Sequence, residues 1–468
     1  MSAPRDIVIR QFPGMDTESD PLTLGDLMVS QGIMYSPAAL DMYGDGSFMQ
    51  RRPGVRLGTT QGTVTNVIYD LIRVALMGDL ASSPGVGYDA LMGLYLRPAT
   101  AGTVIGTGGF AGTGVVYGRT WKVGTLPSIT ASADFPIGYD TTRERKLSTV
   151  GARRVIVRSS GGATINDFVT YNDSATEYRY TSEPGPTNPD GTPVTSRLCV
   201  WHKSHVFMMK NGYAKYPALV IFSDFNNPSV YPGNSFEMEP EGLQQVQGAY
   251  STGERLMLGK SGAMYMMTGA SAGDFRVVRV SSKYGLGGVR GGDLIGPDTL
   301  LTILTESNKP TGTTTRENPV PRNLGIIAGG EIKVIGDRML TDIRSGADAS
   351  LDTNLKTWTE LNGALVLPNR QTTRAAQTAL FISTKEGGIW KWTLTASVGA
   401  CCLCEAGGTM YMGCADDTAA NNAQGVLKYF DAALADDNGI TIATTFAPYV
   451  SSPAFRTNEK AIIESITV

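Results

Sequence analysis

The sequence has little charge and few of the residues on which catalysis and metal binding depend. Asp, Glu, Lys and Arg make up 18% of its 468 residues, against about 25% in average proteins, and the formal net charge is −3. A chain so nearly neutral offers no general electrostatic attraction for nucleic acid. Its two histidines, His202 and His205, leave little material for acid–base or metal chemistry.

Cysteine is also scarce, and its spacing argues against a disulfide framework. The five cysteines are an odd number, and three of them crowd together at Cys401, Cys402 and Cys404. Structural zinc sites use pairs with a C-x2–4-C spacing that is repeated elsewhere, and this chain has no such repeat. On a strand, Cys402 and Cys404 share a face and suit buried packing. We therefore expect synthesis in a reducing compartment, no metal and no cofactor.

Long apolar runs and catalytic motifs are missing as well. No stretch of about 18 uncharged apolar residues occurs, so we expect no membrane-spanning helix. The first residues contain no apolar core of signal-peptide length, so we expect no Sec-dependent export. The chain has no G-x-S-x-G element, and its Gly-rich segment 106–114 lacks the Lys-Ser/Thr pair of a phosphate loop. With no catalytic residues to point to, we expect a protein that is not an enzyme.

Glycine, by contrast, is abundant. It makes up 56 of the 468 residues, or about 12%, against about 7% in average proteins. It separates short apolar runs with period-two alternation, a pattern typical of an all-β protein. Tight hairpin turns need a positive φ, which costs glycine little. Five segments share one plan, in which an apolar strand, a turn and a second apolar strand follow one another: 198–212, 254–269, 324–340, 378–394 and 402–417.

A degenerate hairpin that recurs along a chain is typical of a β-propeller, in which each small sheet packs against the next. We therefore predict an all-β propeller of six to eight blades over residues 57–468. An N-terminal strap over residues 1–56 precedes it, with the one helical pattern at roughly 23–43. Long loop insertions are predicted near 101–114, 182–196 and 305–323. A β-sandwich or a stacked pair of β domains is the alternative for the same pattern.

The strap carries turn signals that have a direct physical meaning. Proline fixes its own φ and extends the residue before it, so Pro53 and Gly54 predict a type II turn with Arg52 extended ahead of it. A guanidinium suits a bidentate carboxylate partner, and Asp16 and Asp20 are the candidates. We predict that the strap locks one blade or a neighbouring subunit. The alternative is an ordinary exposed arginine before a turn.

Several short motifs follow one another in a definite order. The strap contains, in sequence, Phe12-Pro13-Gly14-Met15-Asp16, then Asp20-Pro21-Leu22, then Gly44 to Gly54, which ends in Arg51-Arg52-Pro53-Gly54. In the middle of the chain, residues 220–228 end in Ser223-Asp224-Phe225-Asn226-Asn227-Pro228. The hairpin 254–269 and the segment Tyr284-Gly285-Leu286-Gly287-Gly288 come next.

This order resembles the tail hub and nozzle proteins of short-tailed bacteriophages and the related head-to-tail stabilisation proteins. In that family, F-x-G-G, D-P and G-x-L-x-x-R-P-G lead into a β-propeller, and S-D-x-x-N-P follows later. The chain departs from the layout at Pro13, where a small residue is usual, and at Met49, where a leucine is usual. The matching positions, which the resemblance marks as interaction or structural residues, are Phe12, Gly14, Asp16, Asp20, Pro21, Arg51, Arg52, Pro53, Gly54, Ser223, Asp224, Asn227 and Pro228.

The resemblance implies a structural component of a virion, located in the tail after synthesis in the host cytoplasm. Copies of the chain would form a ring, a hexamer in the family, below the portal and adaptor and around the channel through which DNA leaves. The implied partners are other copies of the chain, the adaptor or portal-proximal protein, tail fibres or other tail proteins, and DNA that slides past without sequence-specific binding. One alternative is a carbohydrate- or receptor-binding propeller module of the tail, and another is an enzyme such as a propeller glycosidase.

Three smaller features have a structural interpretation. The segment 223–228 predicts a turn that Asp and Asn side chains set, rather than a metal or sugar site. His202 and His205 lie three apart on a predicted strand, so we expect them on opposite faces, in the core or at its rim. A basic cluster predicts a solvated face, or within the phage interpretation a subunit contact, because a cationic lumen would hold DNA back; its residues are Arg143, Arg145, Lys146, Arg153, Arg154 and Arg158.

Overall fold

A computed structural model of the chain shows an architecture made almost entirely of β-strands, as predicted. It describes residues 9–45, 48–57, 67–77, 87–98, 114–122, 135–139, 146–150, 154–158, 168–174, 177–183, 187–192, 194, 198–209, 215–227, 230–238, 244–288, 290–308, 318–346, 354–367, 377–385, 388–394, 400–414, 427–431 and 449–451.

The strap consists of short strands around one helix. Its elements are β1 (Gln11–Met15), α1 (Pro21–Gln31), β2 (Ile33–Ser36), β3 (Ala39–Leu40), β4 (Met42–Asp45), β5 (Phe48–Arg51) and the first residues of β6 (Gly54–Leu57). β1 pairs with β2 in parallel, and β4 pairs with β5 in antiparallel. β6 crosses the predicted boundary between residues 56 and 57, so the strap leads directly into a sheet of the propeller.

Helix α1 has clear signals at both ends. The Asp20 carboxylate accepts a hydrogen bond from the Leu22 N–H at 3.2 Å, and Pro21 occupies the first turn, where its missing N–H costs nothing. Gly32 ends the helix with φ 70° and donates its N–H to the Met28 carbonyl at 3.0 Å. The helical pattern predicted for 23–43 is therefore wrong beyond Gln31, because the left-handed glycine ends the helix.

The first four sheets after the strap are four-stranded antiparallel sheets, which we number blades 1 to 4 in chain order. Blade 1 contains β7 (Val67–Met77), β8 (Gly87–Pro98), β9 (Gly114–Lys122) and β10 (Phe135–Tyr139). Blade 2 contains β11 (Lys146–Val150), β12 (Arg154–Arg158), β13 (Phe168–Ser174) and β14 (Glu177–Glu183). Blade 3 contains β15 (Leu198–His202), β16 (His205–Met209), β17 (Leu219–Phe222) and β18 (Ser235–Glu237). Blade 4 contains β19 (Gly248–Ser251), β20 (Leu256–Gly259), β21 (Met264–Thr268) and β22 (Arg276–Ser281).

Three further blades follow, and the last one uses both ends of the propeller. Blade 5 contains β23 (Gly285–Leu286), β24 (Gly292–Gly296), β25 (Thr299–Asn308), β26 (Asn318–Ala328) and β27 (Glu331–Val334). A 3-10 turn (Asp337–Met339) and α2 (Leu340–Gly346) lead to blade 6, with β28 (Asn354–Trp358), β29 (Gly363–Leu367), β30 (Gln377–Ser383) and β31 (Ile389–Leu394). Blade 7 contains β32 (Ala400–Ala406), β33 (Thr409–Cys414) and β34 (Leu427–Asp431), with β6 as its outer strand. β35 (Tyr449–Val450) pairs with β3.

The blades form a closed circle. The first strand of each blade contacts the first strand of the next, in the order β7, β11, β15, β19, β23 and β24, β28, β32 and back to β7. β6 pairs with β34 in register Lys428↔Leu57 to Asp431↔Gly54, so the N-terminal side of the chain completes the last sheet. The described residues therefore form a seven-bladed β-propeller, within the predicted range of six to eight blades.

The five predicted hairpins are confirmed, and each belongs to a different blade, from blade 3 to blade 7. The turns differ in how they reach positive φ. Gly329 and Gly330 take φ 60° and 93°, and the Gly407–Gly408 turn is similar. The turn between β15 and β16 instead uses Lys203 at φ 44° and Ser204 at φ 64°, a left-handed pair without glycine.

The predicted loops have different outcomes. Residues 101–113 lie outside the described residues. Within 182–196, residues 182–183 end β14, and 187–192 form a turn in which Asn188 donates its backbone N–H to the Thr192 carbonyl and its side-chain amide to the Thr192 hydroxyl. Strands occupy both ends of 305–323, so the loop prediction is wrong there. The prolines Pro319 and Pro321 fit this strand because β27 pairs only with residues 325–328 of β26, which leaves 318–323 at an edge.

The apolar core consists of the interfaces between blades. Its largest cluster joins blades 5, 6 and 7 to the strap and contains the fully buried Trp358, Trp390 and Trp392. The Trp392 ring stacks on Phe381 with centroids 4.5 Å apart and planes 2° from parallel. A second cluster lies between blades 3 and 4, and a third between blades 4 and 5. Blades 3 to 7 thus bury their apolar faces against one another.

Candidate functional site

The strap lies against β31, the outer strand of blade 6. The Asp41 N–H donates to the Lys391 carbonyl at 2.9 Å, and the Trp392 indole N–H donates to the Met42 carbonyl at 2.9 Å. Strands β1, β3 and β4 all contact β31. The edge of blade 6 is therefore covered by the protein's own N-terminal segment.

Arg52 forms the buried centre of this contact. Its Nε donates to Oδ1 of Asp41 at 2.7 Å, and the two side chains are 0% and 2% exposed. Its Nη1 donates to the Pro53 carbonyl at 2.9 Å, and its backbone N–H donates to the Asp41 carbonyl at 2.8 Å. Oδ1 of Asp41 also accepts the Thr393 N–H of β31 at 2.7 Å. The ion pair thus links the Arg-Pro-Gly corner to blade 6.

The prediction that Asp16 or Asp20 pairs with Arg52 is wrong. Asp41 takes that place because the backbone bond to Arg52 holds it opposite the guanidinium, in a left-handed conformation (φ 57°) that aspartate tolerates. A signal was present in the sequence: Asp41 stands alone in the apolar run Ala39 to Met42. An acid in such a run needs a buried partner. Asp20 caps α1 instead.

Asp16 joins the strap to the connection between blades 5 and 6. It is buried and accepts a hydrogen bond from Nη1 of Arg338 at 2.5 Å, while Thr17 and Glu18 bond to the same connection at Asp342 and Thr341. Burial opposes the charged form, but hydrogen bonds from the Ser19 backbone and hydroxyl and from Arg338 outweigh it and hold the pKa of Asp16 below its usual value. Asp16 is therefore an anionic anchor.

Gly14 allows the strap to approach blade 6 closely. Its φ is +135°, and a Cβ built on it would lie 2.9 Å from the Gly388 Cα and 2.9 Å from the Ile389 N. Phe12 packs against the large core cluster on the same segment. Of the other predicted strap residues, Pro21 begins α1, Arg51 is exposed on β5, and Pro53 and Gly54 lead into β6. The predicted type II turn is wrong, because it needs a positive φ at Gly54, and Gly54 instead begins a strand without one.

The segment that begins at Ser223 forms a turn at the end of β17. The Asp224 carboxylate accepts the Phe225 N–H at 2.8 Å, and the Asp224 and Asn227 backbones form an isolated bridge. The Ser223 hydroxyl accepts the Val206 N–H at 2.9 Å, which ties the turn to β16. These are the backbone contacts expected of a turn, and Pro228 lies outside the described residues.

His202 and His205 occupy facing positions on a hairpin, so the prediction of opposite faces on one strand is wrong. They are direct cross-strand partners on either side of the two-residue turn, and both are buried. Nδ1 of His202 lies 2.9 Å from the Ser251 hydroxyl, and Nδ1 of His205 lies 2.7 Å from the Ser223 carbonyl. Burial, reinforced by the charge of Lys203, lowers the pKa of His202 to about 4.

A cavity of about 650 Å³ lies on the propeller axis, where the inner strands meet. Its charged lining consists of Arg73, Arg290, Asp293, Lys356 and Glu405. The Asp293 carboxylate accepts from Nζ of Lys356 at 3.0 Å and from the Thr357 N–H at 2.9 Å, so blades 5 and 6 are linked by charge. Glu405 accepts the Gly408 N–H at 2.8 Å.

A thiol and a phenol in the cavity wall, both nucleophiles only when ionised, are held neutral. Burial raises the pKa of the Cys404 thiol to about 12, although Lys356 and Arg290 oppose the shift. Burial also raises the pKa of the Tyr250 hydroxyl, which bonds to the carbonyls of Gly287 and Gly288. Cys402 is buried on the same strand as Cys404. In the part of the chain that the structure describes, no group of three His, Cys, Asp or Glu residues is placed to hold a metal ion.

Two further observations concern membranes and the basic cluster. Among the described residues, no helix has the length and apolar character that crossing a membrane requires. The cluster from Arg143 to Arg158 falls on residues whose side chains lie outside the described part, so its predicted face stays a prediction.

No family model matches this chain, and no curated protein matches it either. Several solved structures are similar. The WD40 domain of Neurospora crassa Pan2 matches over 80% of this chain and 97% of its own, with 8% identity and a TM-score of 0.41. The WD40 domain of Toxoplasma gondii coronin matches over 90% and 100%, with 11% identity and a TM-score of 0.37. Apo AztD from Citrobacter koseri matches over 75% and 89%, with 10% identity and a TM-score of 0.35.

These likenesses concern the fold alone. WD40 repeats build β-propellers, and the propeller described above is identified by its own strand pairing and closed circle. What those proteins bind or assemble with has no bearing on this chain at such low identity.

Proposed function

We propose that the chain is a non-enzymatic structural component of a phage tail, a propeller that belongs to a ring-shaped hub or nozzle. The motif order along residues 12–54 and 220–228 supports this proposal. One observation carries it: three residues of the strap motif make structural contacts. Asp16, Arg52 and Gly14 all hold the strap against blade 6 or the connection that precedes it. Such residues serve mechanical rigidity rather than substrate binding.

The proposed DNA path runs along the axis of the ring of subunits and outside each propeller. A cavity of about 650 Å³ has the size of a small-molecule pocket, and the Asp293–Lys356 ion pair forms part of its wall. The ring would comprise six copies by the resemblance alone, with the adaptor or portal-proximal protein and other tail proteins as neighbours. The proposed location is the tail of the virion.

The experiment is a measurement of assembly. The purified full-length chain should form a ring in electron micrographs and show a multiple of its 49.8 kDa mass by light scattering. Mass spectrometry of the particles should find the chain in the tail fraction. A chain that stays monomeric at all concentrations and is absent from tails would contradict the proposal.

A second candidate is a carbohydrate- or receptor-binding propeller module of the tail. The axial cavity favours it, because Trp201 and Tyr250 line it beside polar and charged groups. Aromatic rings with a few polar groups are typical of small-ligand sites. Binding of the isolated chain on a glycan array, lost on Trp201→Ala, would support this candidate. An array without signal would contradict it, and only the structural role would remain.

A further inference from the structure

The outer strand of blade 4 presents a sheet edge that none of the described segments covers. β22 pairs with β21 on one side, and no described residue pairs with its other side. Arg276, Val277, Val278 and Arg279 are all exposed, and Val278 keeps 55% of its accessible surface. A six-residue strand of this composition is long and apolar enough to accept another strand.

The chain itself shows how an outer strand of this propeller becomes covered. β31 of blade 6 is the equivalent strand; four of its six residues are buried, and strap strands β1, β3 and β4 contact it. Part of that cover is a backbone hydrogen bond from Asp41 to Lys391, made by an extended segment that runs past the edge. β22 has no such segment among the described residues.

The other outer strands differ from β22 in length or charge. β18 of blade 3 has only three residues. β27 of blade 5 carries charges of both signs at Glu331 and Lys333. β22 carries two arginines and no acid, so its edge is both apolar and positively charged.

The charges on β22 determine what kind of strand can pair with its outer edge. If two copies of β22 paired in antiparallel about the centre of Val277 and Val278, Arg276 of one copy would face Arg279 of the other. Like charges directly opposite each other destabilise a strand pair. The two arginines therefore disfavour self-pairing and favour a strand with acids at those positions.

We propose that the outer edge of β22 binds an extended, acidic segment of another protein by β-strand addition. Opposite Arg276, Val277, Val278 and Arg279, the segment would present an acid, two apolar residues and a second acid. Arg276 and Arg279 are three apart and lie on opposite faces of the strand, so the segment needs one acid on each face. The inference goes beyond the proposed function and does not depend on it.

The test uses the full-length chain and two labelled peptides. One has a Glu-Val-Val-Glu centre, and the matched control has Lys-Val-Val-Lys. Fluorescence anisotropy should show the glutamate peptide binding at least about tenfold more tightly, with the preference weakening at high salt. Hydrogen exchange should slow at the amides of residues 276–281, because strand addition gives them new partners.

Three variants separate strand addition from general charge attraction. Arg276→Glu, alone and with Arg279→Glu, should reduce binding of the glutamate peptide and raise binding of the lysine peptide. The single variant matters because Arg279 lies over the Tyr265 ring at 5.8 Å and contributes to the fold there. Lys333→Glu on β27 is the matched control and should change nothing.

Equal binding of both peptides, no binding of either, or no slowing of exchange at 276–281 would overturn the inference. So would glutamate-peptide binding that survives Arg276→Glu or falls equally with Lys333→Glu. Ring assembly is measured separately by mass, so failure of this test is distinguishable from failure of the proposed function.

Discussion

At the scale of single residues, a few buried charges decide how the strap is held. Arg52 is fully buried and its charge is met by Asp41. A buried ion pair is weak support for stability as a whole, but removing one member leaves the other charge unpaired and desolvated. The ion pair of Lys203 and Glu254 is solvent-exposed, so breaking it leaves no desolvated charge and costs little stability.

Arg52→Ala should therefore destabilise the protein by about 3 to 5 kcal/mol. Urea unfolding followed by tryptophan fluorescence measures the change, since Trp392 lies beside this contact. Glu254→Gln, which breaks an exposed pair, is the control and should cost less than about 1 kcal/mol. An Arg52→Ala loss no larger than that of the control would show that the pair does not hold the strap.

His202 makes stability depend on pH. Because burial lowers its pKa to about 4, the folded protein leaves this imidazole neutral at pH values where the unfolded chain, with a pKa of about 6.5, takes up a proton. Stability should fall as the pH drops from 6.5 towards 4, by up to about 3 kcal/mol, and this contribution should level off below pH 4.

Comparing unfolding of the wild type and His202→Gln at several pH values isolates this contribution. The variant should lose less stability on acidification than the wild type. Equal losses in the two proteins would mean that another group causes the pH dependence.

At the scale of elements, the hairpins were predictable and the docking of the strap was not. A hairpin depends on local turn chemistry, so Gly329–Gly330 and Gly407–Gly408 marked their turns directly in the sequence. Blade 2 produced no such prediction, because strands such as Glu177–Glu183 carry charged and polar residues that weaken the apolar signal. The first two strands of blade 1 are apolar, but residues 78–86 separate them, which is longer than a tight hairpin turn. The strap contacts join residues about 350 positions apart, such as Asp41 and Thr393, and no local pattern specifies them.

The candidate site was predictable in part for the same reason. The Arg-Pro-Gly motif marked Arg52 as a fixed residue, and the structure shows its buried side chain held by Asp41 and by the Pro53 carbonyl. Its partner was missed because Asp41 is placed by a backbone bond to Arg52 and by β31, both long-range features. The pairing of His202 with His205 was missed because the hairpin predicted over 198–212 has no glycine to mark its turn, which lies at Lys203 and Ser204 between the two histidines.

Gly14→Ala should loosen the strap. The new methyl group meets backbone atoms of Gly388 and Ile389 at 2.9 Å, and its φ of +135° is strained for alanine, so we expect a loss of about 2 to 4 kcal/mol. Gly191→Ala is the matched control: its φ is also positive, +82°, but no atom lies within 4 Å of the new Cβ.

Thermal unfolding and hydrogen exchange of residues 11–15 measure this effect. Gly191→Ala should show the backbone strain alone and leave exchange in β1 unchanged. If the two variants lose equal stability, the close approach of the strap to Gly388 contributes nothing.

At the scale of the whole molecule, the circle is closed by a strand from the opposite end of the chain. β6 completes blade 7, and β3 pairs with β35 beside it. Deletion of residues 1–57 should therefore leave β34 with a free edge, remove the cover of β31 and abolish cooperative unfolding.

Circular dichroism melting and gel filtration test this deletion against deletion of residues 1–8, which retains every described element. The short deletion should melt like the full chain. A cooperative, monodisperse protein without residues 1–57 would show that the remaining blades close without help.

The pairing of β6 with β34 also determines when, during biosynthesis, the last blade can form. About 370 residues separate Leu57 from the end of β34, so the nascent strand waits about 20 to 75 s at 5–20 residues per second before its partner is translated. During that interval the early blades emerge from the ribosome while the final sheet does not yet exist. Closure of the last blade therefore follows synthesis of the first six, and chaperones that shield nascent chains have most to protect at this N-terminal segment.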